Sequence, residues 1–298
     1  MGDLLQILKG TSTAPIVTFE ANGVGQNLDS GLPVVTLTRP DGTAGPAAGT
    51  ITSLGSGQYS FVVAAQANPT WLDYTAVGTI GGQPQTLGGR VEWLGATLFN
   101  ISAFRAFKVG GDTPFVSTAT PPFTDRQLMD ARTAVLEELE AILGFSPVPR
   151  FRRQVLNGDG STSLILPDLF ATDVLSVTVN GVTQTISGYQ TTTANQIEAI
   201  TNYGYGTAFT PGRRNVVVEY VAGWERVVGI GRDAAMVMAA SELLPDGLSN
   251  AVSVTTPDGI SYSYEPSETG RGGYQRWTGI RKLDRWLNRH SQQGLAVA

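Results

Sequence analysis

The chain has 298 residues, a formal net charge of −5, no cysteine and one histidine. This inventory allows about two domains, and it excludes disulfides, thiol catalysis, cysteine-ligated metals and most histidine-dependent chemistry. No apolar run reaches the ~18 residues of a membrane span, and MGDLLQILKG lacks the cationic start of a secretory signal. We therefore expect a turn-rich globular protein with no catalytic residue, metal site, cofactor or membrane partner.

Residues 1–94 alternate short apolar runs with turn signals, which predicts an all-β domain. Tyr59, Phe61 and Val63 recur at every second position, the pattern of a half-buried strand. Gly81-Gly82 is typical of a tight turn. Six or seven short strands in about ninety residues predict an immunoglobulin-like (Ig-like) sandwich. The expected strands are Pro15–Glu20, Leu32–Arg39, Thr50–Leu54, Gln58–Ala65, Asp73–Ile80 and Leu87–Leu94.

Residues 95–123 are predicted to form a junction, with a short helix or docking segment at Leu98–Phe107 and an extended linker after it. The next helix, expected at Asp125–Leu143, has sequence signals at both ends. Thr124 and Gln127 have the spacing of a capping box. Gly144 is a natural residue for the helix end, because glycine adopts the left-handed backbone there.

A second, antiparallel sheet is predicted after this helix. Asn157-Gly158-Asp159-Gly160 and Asn180-Gly181 predict tight hairpins, because Asn-Gly accepts the positive φ angles of such turns. The strand with Val216, Val218 and Tyr220 is apolar on nearly both faces and is expected to be central. The predicted strands are Arg150–Leu156, Ser161–Leu166, Val174–Asn180, Thr183–Tyr189, Ile197–Ile200 and Asn215–Val221.

The last part of the chain contains one pattern that resembles a nucleotide motif. Gly229–Ala235 fits G-x-G-x-x-A, but it lacks a tight strand-to-helix turn before it and an acidic residue after a second strand. The pattern predicts instead the start of a small-residue helix at about Gly231–Leu244. A hairpin through Thr256–Gly259 and a closing helix at about Gln275–His290 follow. Residues 271–298 hold six Lys or Arg and one Asp, so the chain end is basic.

The order of these segments resembles the head-to-tail adaptor (connector) proteins of long-tailed double-stranded DNA phages. The resemblance covers roughly the last two thirds of the chain. It lies in an acidic helix ending in Gly-Phe and then Arg150-Phe151-Arg152-Arg153, N-G-D-G-S, L-I-L-P, V-x-S-V-T-V-N-G, R-N-V-V-V-E-Y-V-A-G-W, an Ala-rich helix and R-W-T-G-I-R-K-L-D-R-W-L-N-R-H.

The resemblance implies an α+β protein in four parts. An Ig-like sandwich at 1–94 and a junction at 95–123 would precede an adaptor domain at 124–270, built from a helical bundle and a small antiparallel sheet. A basic amphipathic helix and tail at 271–298 would close the chain. The N-terminal sandwich is additional to the minimal adaptor, and we expect it to project outward.

The function implied is that of a structural virion protein in the neck, assembled in the host cytoplasm. Members of the family form a homo-oligomeric ring, commonly of twelve subunits, that docks on the portal protein. The ring continues the DNA channel and receives the next neck component, a stopper or tail terminator. Double-stranded DNA would pass through without specific binding, which an acidic body favours.

Two sets of residues are predicted to make contacts in such an assembly, since Trp and Arg dominate interface hot spots. The portal or partner-binding set is Tyr262, Tyr264, Arg276, Trp277, Arg281, Lys282, Arg285, Trp286 and Arg289. The inter-subunit set is Glu137, Glu138, Tyr203, Tyr205 and Phe209. The competing interpretations are that the tryptophans cover the chain's own core and that the glutamates form a solvated helix face. The third is that the Gly- and aromatic-rich loop at Asn202–Gly212, which contains Tyr203, Tyr205 and Phe209, folds over the sheet.

Two other functions stay open at this point. The chain could be a tail or baseplate surface-binding protein whose Ig-like domain holds a carbohydrate or a receptor. It could also be an enzyme with an unrecognised carboxylate site, although the absence of cysteine and the single histidine argue against this.

Overall fold

The computed structural model describes residues 3–108, 121–192, 196–199, 209–225, 229–243, 253–255, 261–263 and 281–291. The fold is mixed α+β, with many strands in several small sheets and few helices. Contacts divide the chain into two compact units. The β unit comprises Met1–Ala96 and Pro149–Gly223, and the helical unit comprises Thr97–Val148 and Trp224–Ala298. These divisions differ from the predicted domain limits, because the sheet and the helices of the 124–270 segment fall in different units.

The first part of the β unit consists of nine strands. They are β1 (Asp3–Leu8), β2 (Ile16–Thr18), β3 (Glu20–Ala21), β4 (Val24–Gly25), β5 (Val34–Thr38), β6 (Ile51–Gly55), β7 (Gln58–Phe61), β8 (Thr70–Ile80) and β9 (Gln83–Leu94). A four-stranded sheet has the order β1-β9-β8-β5, and a three-stranded sheet has the order β2-β7-β6. Both sheets bury side chains in one core that includes Phe19, Phe61 and Trp93. The predicted turn at Gly81-Gly82 joins β8 to β9 and is confirmed by φ angles of +56° and +77°.

The sequence did not predict β1. This strand pairs in parallel with β9, from Asp3 opposite Gly89 to Leu8 opposite Leu94. Leu5 and Ile7 point into the shared core. No turn motif in the sequence predicts such a pairing, because parallel strands are joined by a long connection and not by a tight turn.

The second part of the β unit contains seven more strands. They are β10 (Arg150–Gly158), β11 (Ser163–Ile165), β12 (Ala171–Val179), β13 (Val182–Thr183), β14 (Tyr189–Thr191), β15 (Gln196–Ala199) and β16 (Gly212–Ala222). The predicted single sheet is two sheets, with orders β10-β16-β12-β13 and β11-β15-β14. The central position of β16 is confirmed. The hairpin at Asn180-Gly181 is confirmed as well, with φ angles of 51° and 78°.

The prediction of a hairpin at Asn157–Gly160 is wrong. Strand β10 pairs with β16 and strand β11 with β15, so this segment passes between two sheets. Gly158 pairs with Gly212, and a Cβ atom on Gly158 would lie 2.1 Å from the Thr210 carbonyl oxygen. The glycine is therefore required for a close approach of two backbones and not for a tight turn.

The helical unit contains α1 (Ile101–Ala106), α2 (Asp125–Leu143), α3 (Gly229–Leu243), α4 (Arg281–His290) and the hairpin β17 (Ser253–Thr255) with β18 (Ser261–Ser263). The capping box of α2 is confirmed, since Gln127 Oε1 accepts from the Thr124 N–H at 2.9 Å and Thr124 Oγ1 accepts from the Gln127 N–H at 3.3 Å. Gly144 ends the helix with φ 75°. The alanines of α3, Ala234, Ala235, Ala239 and Ala240, are buried where α3 meets α2 and α4.

Candidate functional site

A cleft of about 310 Å³ opens in the β unit between the N-terminal sheets and the sheet of β10 and β16. Its floor is apolar, because Leu72 and Phe151 are buried there. Its rim carries charged and polar side chains of both signs. The lining residues are Arg39, Pro40, Asp41, Pro46, Gln66, Thr70, Leu72, Phe151 and Glu219.

The turn after β5 fixes Asp41 at this rim. Its Oδ1 accepts from the Thr43 N–H at 2.8 Å and from the Thr43 hydroxyl at 2.6 Å. Gly42 makes the turn with φ +84°. The two hydrogen bonds from Thr43 hold the pKa of Asp41 below its usual range, the hydroxyl contributing most. The carboxylate is therefore ionised and held in one place.

Glu219 reaches the same cleft from the central strand β16. The register of β10 and β16 places Arg153 opposite Glu219, and Arg153 Nε lies 3.3 Å from Glu219 Oε1. Burial raises the pKa of Glu219, and the charge of Asp41 raises it further, while Arg153 opposes both effects. The cleft thus combines an exposed carboxylate, Asp41, whose pKa is lowered, with a half-buried one, Glu219, whose pKa is raised.

Trp71 lies behind the floor of the cleft and is not an open platform for a ligand. Its ring meets Phe151 edge to face at 6.5 Å between centroids. The Arg90 guanidinium covers the Trp71 ring at 3.8 Å, and Asp73 accepts from Arg90 at 2.7 and 3.2 Å. Trp93 is fully buried in the shared core. Both tryptophans therefore pack within the chain.

A buried polar network joins β1, β9 and β10. Arg150 donates from Nε and Nη2 to the two carboxylate oxygens of Glu92, each at 2.8 Å. Gln6 donates from Nε2 to Glu92 Oε2 at 2.8 Å. All three residues are buried. Because these groups satisfy one another, the network has a structural role: it holds the N-terminal sheets against the β10-β16-β12-β13 sheet.

A second polar cluster lies on the opposite face of β16. The Tyr220 hydroxyl donates to Asp168 Oδ2, and Arg152 Nε lies 3.2 Å from Asp168 Oδ1. Burial and, after it, the hydrogen bond to Asp168 raise the pKa of Tyr220 far above its usual range. The phenol is therefore a permanent donor, and this cluster is suited to structural support rather than proton transfer.

The predicted inter-subunit residues have different surroundings. Phe209 is fully buried and packs against Tyr189, with ring centroids 5.7 Å apart, so its prediction as an inter-subunit contact is corrected: it belongs to the chain's own core. Tyr203 and Tyr205 lie outside the described residues. Glu137 and Glu138 lie on the exposed face of α2. Glu138 is exposed overall, yet partial desolvation of its carboxyl group and, after it, the charge of Glu242 raise its pKa.

The predicted partner-binding residues are described only in part. Trp286 is half-buried in an aromatic cluster of the helical unit, 6.0 Å from Trp224 and 5.0 Å from His290 between ring centroids. Arg285 and Arg289 are exposed on α4. Tyr264, Arg276 and Trp277 lie outside the described residues, as do the side chains of Tyr262, Arg281 and Lys282. Trp286 therefore covers the chain's own core, whereas the basic face of α4 is open.

Sequence reasoning missed the cleft. Pro40-Asp41-Gly42 signals a turn, but nothing local connects that turn with Glu219. Within the described ranges, no three His, Asp or Glu side chains are grouped so that they could hold a metal ion. No helix in the same ranges combines the length and apolarity that crossing a membrane requires.

Comparison with known proteins gives no family. No protein-family model and no curated protein matches the chain. One similar solved structure is described as the neck of an empty GTA particle computed with C6 symmetry, with a TM-score of 0.39, 14% identity, and coverage of 64% of this chain and 88% of that chain. Another is a DUF4785 family protein from Legionella pneumophila, with a TM-score of 0.23, 10% identity, and coverage of 76% and 48%. TM-scores of this size do not establish a common fold, and no function is assigned from them.

Proposed function

We propose that the chain is a structural virion protein of the phage neck, a head-to-tail adaptor and not an enzyme. The observation that supports this is the order of its elements. A capped helix α2 is followed by a sheet centred on β16, the helix α3, the hairpin β17–β18 and the basic helix α4. This is the segment order in which the sequence resembles head-to-tail adaptors.

The helical unit offers complementary surfaces for a ring. Glu137 and Glu138 are exposed on α2, and Arg285 and Arg289 are exposed on α4. In the proposed assembly the acidic face of one subunit meets the basic face of the next. Such a head-to-tail contact closes into a ring when the rotation between subunits allows it, and twelve subunits is the number common in this family.

The ring would dock on the portal protein, continue the DNA channel and receive a stopper or tail terminator. The net charge of −5 fits a channel that does not retain DNA. The N-terminal sheets are proposed to form the Ig-like sandwich. The buried Gln6–Glu92–Arg150 network favours a sandwich that is fixed to the β10-β16-β12-β13 sheet over one that is tethered by a linker.

The test is electron microscopy of the purified full chain with and without portal protein. Rings stacked on the portal are expected. Reversing the charges with Glu137→Lys and Glu138→Lys should reduce ring formation, as should Arg285→Glu and Arg289→Glu. Combining the four changes should restore rings, which a fold defect would not allow. A monomer that never forms rings and never binds portal would overturn the proposal.

A further inference from the structure

The adaptor function proposed above does not use the cleft beside Asp41 and Glu219. We propose that it binds a small saccharide through the ring hydroxyl groups. The volume of about 310 Å³ is at the lower end of the ~300–1,000 Å³ typical of small-molecule sites. A ligand on the scale of a mono- or disaccharide fits that size.

The floor of the cleft suits the apolar face of a sugar ring. Leu72 and Phe151 are buried at its base, and Pro40 and Pro46 add apolar walls. Phe151 is held by its edge-to-face contact with Trp71. A C–H face laid on these groups would leave its hydroxyls directed toward the polar rim.

The rim combines acceptors and donors, which is what neighbouring hydroxyls require. Asp41 and Glu219 offer carboxylate oxygens, while Arg39 and Gln66 offer N–H groups. Arg39 uses Nη1 for the Ala44 carbonyl at 2.9 Å, and a guanidinium has five donors in all. Hydrogen bonds to ionised groups are the stronger kind.

The mixed charge of the rim selects against other ligand classes. A cation would be drawn to Asp41 and Glu219 but repelled by Arg39, and an anion would meet the two carboxylates. A neutral ligand with many hydroxyls uses every one of these groups without repulsion. Specificity of this kind rests on the unfavourable contacts as much as on the favourable ones.

The binding groups are held in place before a ligand arrives. Thr43 fixes Asp41 through two hydrogen bonds, and Arg153 pairs with Glu219. The walls from the N-terminal sheets and from β10 are tied together by Arg150 and Glu92. Groups ordered in advance lower the entropic cost of binding.

The experiment uses the full chain on an array of immobilised glucose, galactose, mannose, rhamnose, N-acetylglucosamine, maltose and lactose. The sugar with the strongest signal is then titrated calorimetrically. Binding is expected, and Asp41→Asn should weaken it by about tenfold, because one charged hydrogen bond is lost. The asparagine oxygen can still accept from Thr43, so the turn persists. Glu20→Gln, an exposed acid outside the cleft, is the matched control and should bind as the parent does.

A second variant, Gln66→Ala, removes a donor from the rim and should also weaken binding, which keeps the test decisive if Asp41→Asn lowers the melting temperature. Three results would overturn the proposal: no sugar binding at millimolar concentration, sugar binding unchanged in both variants, or binding of spermidine to the cleft in place of sugars. The inference does not rest on the adaptor function. Asp41→Asn is expected to form rings on the portal, so failure of either proposal is seen separately.

Discussion

Gly158 shows at the scale of one residue how a glycine can serve packing. A Cβ atom there would meet the Thr210 carbonyl oxygen at 2.1 Å, and this backbone cannot move aside easily. Gly158→Ala is expected to lower the free energy of unfolding by about 1–3 kcal/mol, the usual cost of overpacking. Gly188→Ala is the control, because a Cβ at Gly188 meets nothing within 4 Å. Urea denaturation of both variants measures the difference, and equal stabilities would contradict the close approach.

Glu138 gives a prediction about pH. Burial and the charge of Glu242 raise its pKa in the folded protein, so folding favours the protonated form. The contribution of this shift to the free energy of unfolding is present in acid, below the unfolded-state pKa of about 4.3. It is lost as the pH rises through the folded-state pKa. Glu242→Gln is expected to lower the pKa of Glu138.

An NMR titration of the side-chain carboxyl carbons measures this pKa. The difference between the parent and Glu242→Gln should shrink in high salt, because exposed charges are screened. Glu20→Gln, in the other unit, should leave the titration of Glu138 unchanged. A pKa of Glu138 that does not respond to Glu242→Gln would show that burial alone causes the shift.

Residue patterns alone indicate only one part of the candidate site. The Pro40-Asp41-Gly42 turn is visible in the sequence, but the position of Glu219 beside it depends on the packing of β16 near a distant segment. The same limit explains Phe209: its Gly- and aromatic-rich sequence is compatible with exposure or with folding over the sheet, and the structure buries its ring against Tyr189. Burial at such positions is decided by tertiary contacts that no short pattern encodes.

The N-terminus of α2 is determined by residues that are close together in the sequence. Thr124→Ala removes the side chain that accepts from the Gln127 N–H, and the expected loss is about 1 kcal/mol of unfolding free energy. Gln127→Ala should cost less stability in the Thr124→Ala background than in the parent chain, because the two hydrogen bonds form one capping box. Thr133→Ala within the same helix should be neutral or slightly stabilising, since alanine is the better helix former. Chemical denaturation measures all three, and full additivity would contradict the reciprocal cap.

Elements whose limits are set by residues close to them in the sequence were predicted well. The ends of α2 and the turns at Gly81-Gly82 and Asn180-Gly181 are fixed within a few residues, and all are confirmed. Pairings between distant segments were not. Strand β1 needs β9 as its partner, and the Asn157–Gly160 segment joins two sheets although its composition is typical of a hairpin. The conformational preferences of nearby residues determine whether a turn forms, but the pairing with a distant strand determines which sheet the chain enters after the turn.

At the scale of the whole molecule, the buried pair of Arg150 and Glu92 connects the N-terminal sheets with the second sheet of the β unit. Glu92→Gln is expected to lower the free energy of unfolding by about 3–5 kcal/mol, because it leaves Arg150 buried without its counter-ion. Replacing both residues, with Glu92→Leu and Arg150→Met, should recover much of this loss. A double-mutant cycle by thermal denaturation measures the coupling.

The same pair bears on how the N-terminal region behaves when isolated. A fragment of residues 1–96 would lack β10, leaving Glu92 and Gln6 without Arg150. We expect it to melt well below the full chain. Asp73→Asn, which alters the more exposed pair with Arg90, should cost under about 1 kcal/mol in the full chain and serves as the matched comparison. A fragment as stable as the full chain would show that the N-terminal region is an independent domain, as the sequence predicted.

The parallel pairing of β1 with β9 also sets the order of events during synthesis. Gln6 and Glu92 are separated by 86 residues, so β1 leaves the ribosome long before its partner exists. At ~5–20 residues per second, the wait is roughly 4 to 17 seconds. During that time Leu5 and Ile7 have no core to enter and the strand has an unpaired edge, which is the condition that recruits chaperones or other strands. Slowing translation between β1 and β9 should therefore lower the soluble yield of this chain more than the same delay placed after β16.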